Sequence, residues 1–242
     1  MRRIILAHKV RGTFVYPKEH KRGQLHPGLL LVHGWRGGSR RYIEMGETLF
    51  APLGFVCFAL DLRGHGKSGG DIEKVSRKDH LDDVVAAYDA LVANPRVDAG
   101  RVYAFGASYG AYLVALASGR RRFRGLALRA PASHPDRGFR RRYNYVTDEE
   151  RNVYRRTALW PDANRAFRAL ARFAGDVLLI DGWRDDIVPH RTILNYLRAL
   201  EKARVTRRQI MCADHVLSSP RARNAVNRAV ANWLQKQVSK KN

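Results

Sequence analysis

GASYG, residues Gly106 to Gly110, sits where a strand pattern gives way to a helical one, and its reading decides the fold. The apolar run 101–105 (RVYAF) precedes it, and a helical pattern over 108–118 follows, ending at Gly119. In that context G-x-S-x-G is a nucleophile elbow. A sharp turn lifts the serine hydroxyl out at the end of a sheet, and glycines on either side admit neighbouring backbone without a Cβ clash. The helix N-terminus beneath Ser108 offers unpaired N–H groups and a positive dipole end where an oxyanion would form. Stripped of strand and helix, the same five residues would be a serine in a glycine-rich turn.

Outward from the elbow, short β-rich runs alternate with helical patterns, which predicts a mostly parallel sheet with helices on both faces. Segments 3–7 and 12–16 read as an antiparallel edge pair. Strands follow at 28–33, 55–60, 125–129, 177–181 and 208–212. The unbroken apolar stretches Leu29 to Val32 and Val177 to Ile180 suit strands buried on both faces. Helical periodicity places Leu81, Val84, Val85, Tyr88 and Leu91 on one face of a helix over 79–93, with Pro95 beyond it. A last helix over 220–237 turns Ala225, Val226, Ala229, Val230 and Leu234 inward. Segment 130–175 is far longer than an ordinary connection between core elements. With helical stretches at 149–158 and 164–173 and the aromatics Phe139, Tyr143, Tyr145, Tyr154 and Trp160, it reads as an inserted helical lid within a single domain spanning 1–242.

The chain carries a formal charge of +23, unevenly spread. Residues 51–119 hold seven basic and eight acidic side chains, whereas 120–172 hold fifteen arginines and five acids. So local a surplus attracts anionic substrates, nucleic acid or an anionic surface, unless it is only a composition bias toward solvated arginine. No apolar run reaches the ~18 residues that span a bilayer. The N-terminal MRRIILAHKV reads as a first strand, its apolar stretch being too short for a signal peptide. Cys57 and Cys212 stand in apolar runs without CxxC spacing and read as buried free thiols, which suits a reducing cytoplasm.

Together with HGWRGG (His33 to Gly38) and DLRGHGKSGG (Asp61 to Gly70), the elbow resembles the α/β-hydrolase superfamily. Within it the chain is similar to small serine esterases of the feruloyl-esterase and monoacylglycerol-lipase type. The tyrosine after the serine also resembles prolyl-oligopeptidase-type hydrolase domains. The resemblance covers about 25–130 and 175–238 and leaves the lid unmatched. It implies an oxyanion hole made by the backbone N–H of Tyr109 and that of the residue after His-Gly, Trp35, with Arg36 as the lesser candidate. His65 precedes the serine, whereas this fold orders its triad serine, acid, histidine; without metal-spaced partners it reads as part of a supporting turn. The glycines around Lys67 and Ser68 lack P-loop spacing.

The same chain order points the base to the region after the last strand, where His215 is the single histidine downstream of His190. An imidazole can take the proton of Ser108 and return it to the leaving group. The acid, which holds the imidazole in one tautomer, falls in DGWRDDIVP (Asp181 to Pro189). Three aspartates compete there. In the resembling enzymes the acid stands four residues before the proline of the VP pair, which selects Asp185 over Asp186 and Asp181. His190 is expected only to start a helix.

These residues make a serine hydrolase acting through an acyl-serine intermediate, with no cofactor and no metal. A small-molecule carboxylic ester is the expected substrate, anionic where the arginine surplus serves binding. A peptidase or amidase and an acyl-CoA thioesterase use the same triad. A non-catalytic anion-binding role would place the contacts at Arg120–Arg122 and Arg140–Arg142, but no nucleic-acid-binding module is visible.

Overall fold

The computed structural model describes residues 1–239. Its strands are β1 (Arg2–Ile5), β2 (Arg11–Val15), β3 (His26–Val32), β4 (Val56–Asp61), β5 (Val97–Ala107), β6 (Gly125–Arg129), β7 (Asp176–Gly182) and β8 (Arg204–Ile210). They form one sheet in the order β1-β2-β4-β3-β5-β6-β7-β8. The pairs from β4 to β8 are parallel, while β2 runs antiparallel to both β1 and β4. This is the α/β-hydrolase fold.

The apolar runs explain why the middle of the sheet is buried twice over. Alternate residues of β3 leave on opposite faces: Leu30 and Val32 join one core cluster, Leu29 and Leu31 the other. The first face is covered by α2 (Arg77–Val92), α3 (Tyr109–Ser118) and α6 (His190–Ala199), through side chains such as Val84, Leu113 and Ile193. The second is covered by the stretch from α1 (Arg40–Met45) to Phe50 and by α7 (Pro220–Ser239), through Met45, Phe50 and Leu234. Ser76 and Asp79 form a reciprocal capping box that starts α2. No helix among the described residues is long and apolar enough to cross a membrane.

Three expectations need correction. The last strand lies at Arg204–Ile210, four residues earlier than 208–212 at its start. As an edge strand paired only with β7 it keeps a half-exposed, arginine-bearing sequence, and the apolar residues after it belong to the following loop. Cys212, in that loop, is therefore only part-buried, whereas Cys57 in β4 is fully buried and burial pushes its thiol pKa up. In α7 the buried stripe is Ala222, Val226, Val230, Trp233 and Leu234, so Ala225 and Ala229 lie at its margin.

Between β6 and β7, residues 130–175 contain α4 (Asp148–Arg156) and α5 (Arg165–Leu170), close to the helical stretches expected. Phe139 and Tyr143 are buried, but Tyr145 is half-exposed and Trp160 stands 80% exposed. Main-chain bonds from Lys78 N to Phe139 O (3.0 Å) and Tyr143 N to Val75 O (2.9 Å) tie this segment to the start of α2.

Candidate active site

Ser108 stands between β5 and α3 with φ 54° and ψ −116°, in the left-handed half of conformational space that costs a non-glycine residue about 1–3 kcal/mol. The surrounding packing holds it there. Its N–H donates to Arg129 O at 2.8 Å, and its carbonyl accepts from Ala111 N (3.1 Å), Tyr112 N (3.2 Å) and Ala132 N (3.1 Å). The glycines on either side are obligatory for contact. A Cβ on Gly106 would lie 2.6 Å from Gly110 O, and one on Gly110 only 2.3 Å from Val32 O. The elbow is thus wedged against the end of β3.

Around the serine the fold gathers a chain of polar contacts. His215 Nε2 lies 3.0 Å from Ser108 Oγ, and His215 Nδ1 lies 3.0 and 2.9 Å from the two carboxylate oxygens of Asp185. The Asp185 side chain is 3% exposed and that of His215 13%. The carboxylate also accepts from Ile187 N (3.0 Å) and Val188 N (2.8 Å), which fixes its orientation toward the ring. The loops carrying Asp185 and His215 are themselves stitched together, by Trp183 N to Ile210 O (3.1 Å) and Arg184 N to Ala213 O (3.0 Å). Of the competing aspartates, Asp186 is exposed and Asp181 is occupied elsewhere, bound by Arg207 (3.1 and 2.9 Å) and Gln209 (2.8 Å) of β8. His190 begins α6, 3.7 Å from Asp181.

The loop HGWRGG passes directly over the elbow. A Cβ on Gly34 would sit 3.3 Å from Ala107 O and 3.5 Å from the Ser108 Cβ, so the residue before Trp35 packs directly on the elbow. Tyr109, the first residue of α3, has no preceding helical turn to receive its N–H. The Trp35 ring stacks on Tyr143 (3.6 Å, 13°) and meets Tyr109 edge-on at 5.5 Å. Arg36, exposed and with φ 56°, carries the turn onward.

DLRGHGKSGG folds around its own aspartate. Asp61 accepts Ser39 N (2.6 Å) and Lys67 N (3.0 Å), so one carboxylate secures both loops, and a Cβ on Gly66 would lie 2.4 Å from it. Behind this layer sit four buried histidines, His33, His65, His80 and His134, all pushed toward the neutral form chiefly by burial. The pKa of His33 falls to about 4 and that of His80 to about 3. His33 lies 2.8 Å from Gly34 O through Nδ1 and accepts Leu62 N (3.0 Å) at Nε2. His80 lies 2.9 Å from the Tyr109 hydroxyl and 3.0 Å from Arg63 O, so it ties the residue after Ser108 to the Asp61 loop. Sequence reasoning missed His80, because nothing in its own helix marks a partner 29 residues away.

The chain's overall path is shared with several solved structures. Over 99% of its length it superposes on all of Est1E from Butyrivibrio proteoclasticus, solved with ferulic acid, at a TM-score of 0.76 and 19% identity. Acylaminoacyl peptidase of Pyrococcus horikoshii matches the whole chain with a TM-score of 0.73 and 16% identity, and Porphyromonas gingivalis dipeptidyl peptidase 4 matches 97% of it at 0.70 and 20%. The chain spans 42% and 35% of those two peptidases. No individual curated protein matches it. A sequence model of the prolyl oligopeptidase family, however, matches residues 43–241, most of the chain, a span that includes Ser108, Asp185 and His215. The chain belongs to the prolyl oligopeptidase family, serine hydrolases of the α/β-hydrolase superfamily.

Proposed function

We propose that this protein hydrolyses a carboxylic ester through an acyl-serine intermediate, with Ser108 as nucleophile, His215 as base and Asp185 as acid. The observation that carries the reading is the unbroken contact chain from Ser108 Oγ through His215 to Asp185, each step at 3.0 Å or less. Ser108 Oγ attacks the ester carbonyl as its proton passes to His215 Nε2. The tetrahedral oxyanion is held by the N–H groups of Tyr109 and Trp35, each such donor being worth about 3–4 kcal/mol in comparable enzymes. Collapse expels the alcohol, which takes the proton from His215. Water then attacks the acyl carbon by the same route, releasing the acid and restoring Ser108. Segment 130–175 acts as a lid within a single domain, its Tyr143 resting on the Trp35 ring beside the oxyanion donors.

An ester is favoured because the chain and Est1E, which binds ferulic acid, cover each other from end to end. Peptide or amide cleavage is the second reading, favoured by the family match and by the likeness to acylaminoacyl peptidase. The test is a panel of p-nitrophenyl esters, aminoacyl p-nitroanilides and acyl-CoAs, beside labelling with a fluorophosphonate. Esters are expected to turn over fastest and the probe to modify Ser108. Ser108→Ala should abolish both while leaving the unfolding midpoint within a degree or two. Ester hydrolysis at the wild-type rate in pure Ser108→Ala protein would overturn the triad, and a preference for anilides would move the assignment to the peptidases.

A further inference from the structure

One residue outside the triad bonds both to the nucleophile, through its main chain, and to the loop that carries the base, through its side chain. Arg129 is the last residue of β6 and stands level with Ala107 in the pairing of β5 with β6. Its carbonyl accepts the Ser108 N–H at 2.8 Å, and its guanidinium Nη1 donates to the His215 carbonyl at 2.6 Å. We propose that Arg129 is a positioning residue for proton transfer: its main chain registers Ser108, and its side chain registers the backbone of His215. The inference rests on the reading of Ser108, His215 and Asp185 as the triad.

The base needs such a hold. β8 is an edge strand that ends at Ile210, so His215 lies on a loop beyond the last paired residue. That loop keeps its shape through Ala213 N to Ile210 O (3.1 Å) and Ser218 N to Asp214 Oδ1 (2.8 Å), contacts that flank His215 without touching its carbonyl. A charge-assisted bond from a guanidinium is short and directional, and it crosses from the middle of the sheet to this loop. The charge also has electrostatic neighbours. Burial opposes the guanidinium charge most, and Arg41 adds to this, while Asp185 and Asp214 favour it.

The experiment compares Arg129→Met and Arg129→Lys with wild type in ester turnover, with thermal unfolding measured alongside. Arg129→Met is expected to lower kcat by about a hundredfold, as a misplaced catalytic group does. KM should hold, since the substrate-binding surface is untouched. Arg129→Lys keeps the charge but not the planar fork, so kcat falls less far than in the methionine variant. Should the methionine variant fail to fold, kcat of the lysine variant and its rate of fluorophosphonate labelling decide the matter. Wild-type kcat in either folded variant overturns the proposal. Ser108→Ala in the same assay separates the two claims. Loss there beside a wild-type Arg129→Met enzyme sinks the positioning role alone, and full turnover there sinks the triad itself.

Discussion

Two regions meet above the strand ends, the rim of loops around Ser108 and the segment 130–175, and they are held by different chemistry. The rim is held by backbone: Gly106 and Gly110 allow α3 to press on β3, and Gly66 wraps its loop around the Asp61 carboxylate. The segment is held by guanidinium groups gripping carbonyls. Arg77 reaches in from α2 to Pro135 O and Arg137 O, both at 2.6 Å. Arg151 binds the carbonyls of Tyr143 and Val146, and Arg155 that of Ile187 at 3.2 Å, two residues beyond Asp185. All three arginines are buried. Part of the arginine surplus is therefore internal framework, which neither a solvated composition bias nor an anion-binding surface had anticipated.

The contrast explains what could be read in advance. Where only glycine fits, residue type leaves a local mark, so GASYG, HGWRGG and DLRGHGKSGG stood out and led to side chains that the structure brings within contact of one another. A guanidinium on a carbonyl leaves no such mark, since every residue has a carbonyl and the partner is distant in sequence. Arg77 and Arg129 were invisible for this reason, and His80 because its partner hydroxyl on Tyr109 lies 29 residues away. The fold was legible through its doubly buried strands, whose apolar runs are continuous, and least legible at β8, whose edge position leaves Arg204–Ile210 half-polar.

The sharpest way to break the comparison lies on the rim. Asp185→Asn should lower kcat by about 10⁴-fold, as removing the triad acid does elsewhere, because the amide favours the wrong imidazole tautomer. Asp186→Asn, one residue away and exposed, should stay within about twofold, since surface changes away from such contacts have little effect. Steady-state kinetics of the two variants checks this, and equal losses would show that the loop as a whole, not one carboxylate, serves His215.

A smaller effect belongs to the histidine layer behind the rim. His33 and His80 stay neutral in the fold down to about 4 and about 3, whereas the unfolded chain protonates its histidines near 6.5. Between those values the unfolded state binds more protons. Stability is thus fully present above pH 6.5 and falls as pH drops, by about 1.4 kcal/mol per unit for each histidine. Urea unfolding between pH 7.5 and 5 should show this slope, and His80→Gln should flatten it by one histidine's share. An unchanged slope would remove His80 from the account.

The smallest expected effect concerns the arginines of 130–175 that grip nothing inside. Arg140, Arg141 and Arg142 are exposed, in contrast to Arg151 and Arg155 a turn or more further on. An exposed cluster acts on a substrate through its field, which raises the local concentration of anionic esters and is screened over about 10 Å at 0.1 M salt. A carboxylate-bearing ester should therefore exceed its neutral isostere in kcat/KM by about threefold at low ionic strength, for a few surface charges contribute little each. The preference should fade as salt rises and disappear when the three arginines are changed to glutamine, with kcat on the neutral ester unmoved. A preference that survives both salt and the triple substitution would instead locate the selective cation inside, where a fixed, desolvated guanidinium resists screening. No preference at any salt would leave the outer arginines with no part in recognition and the buried ones as framework alone.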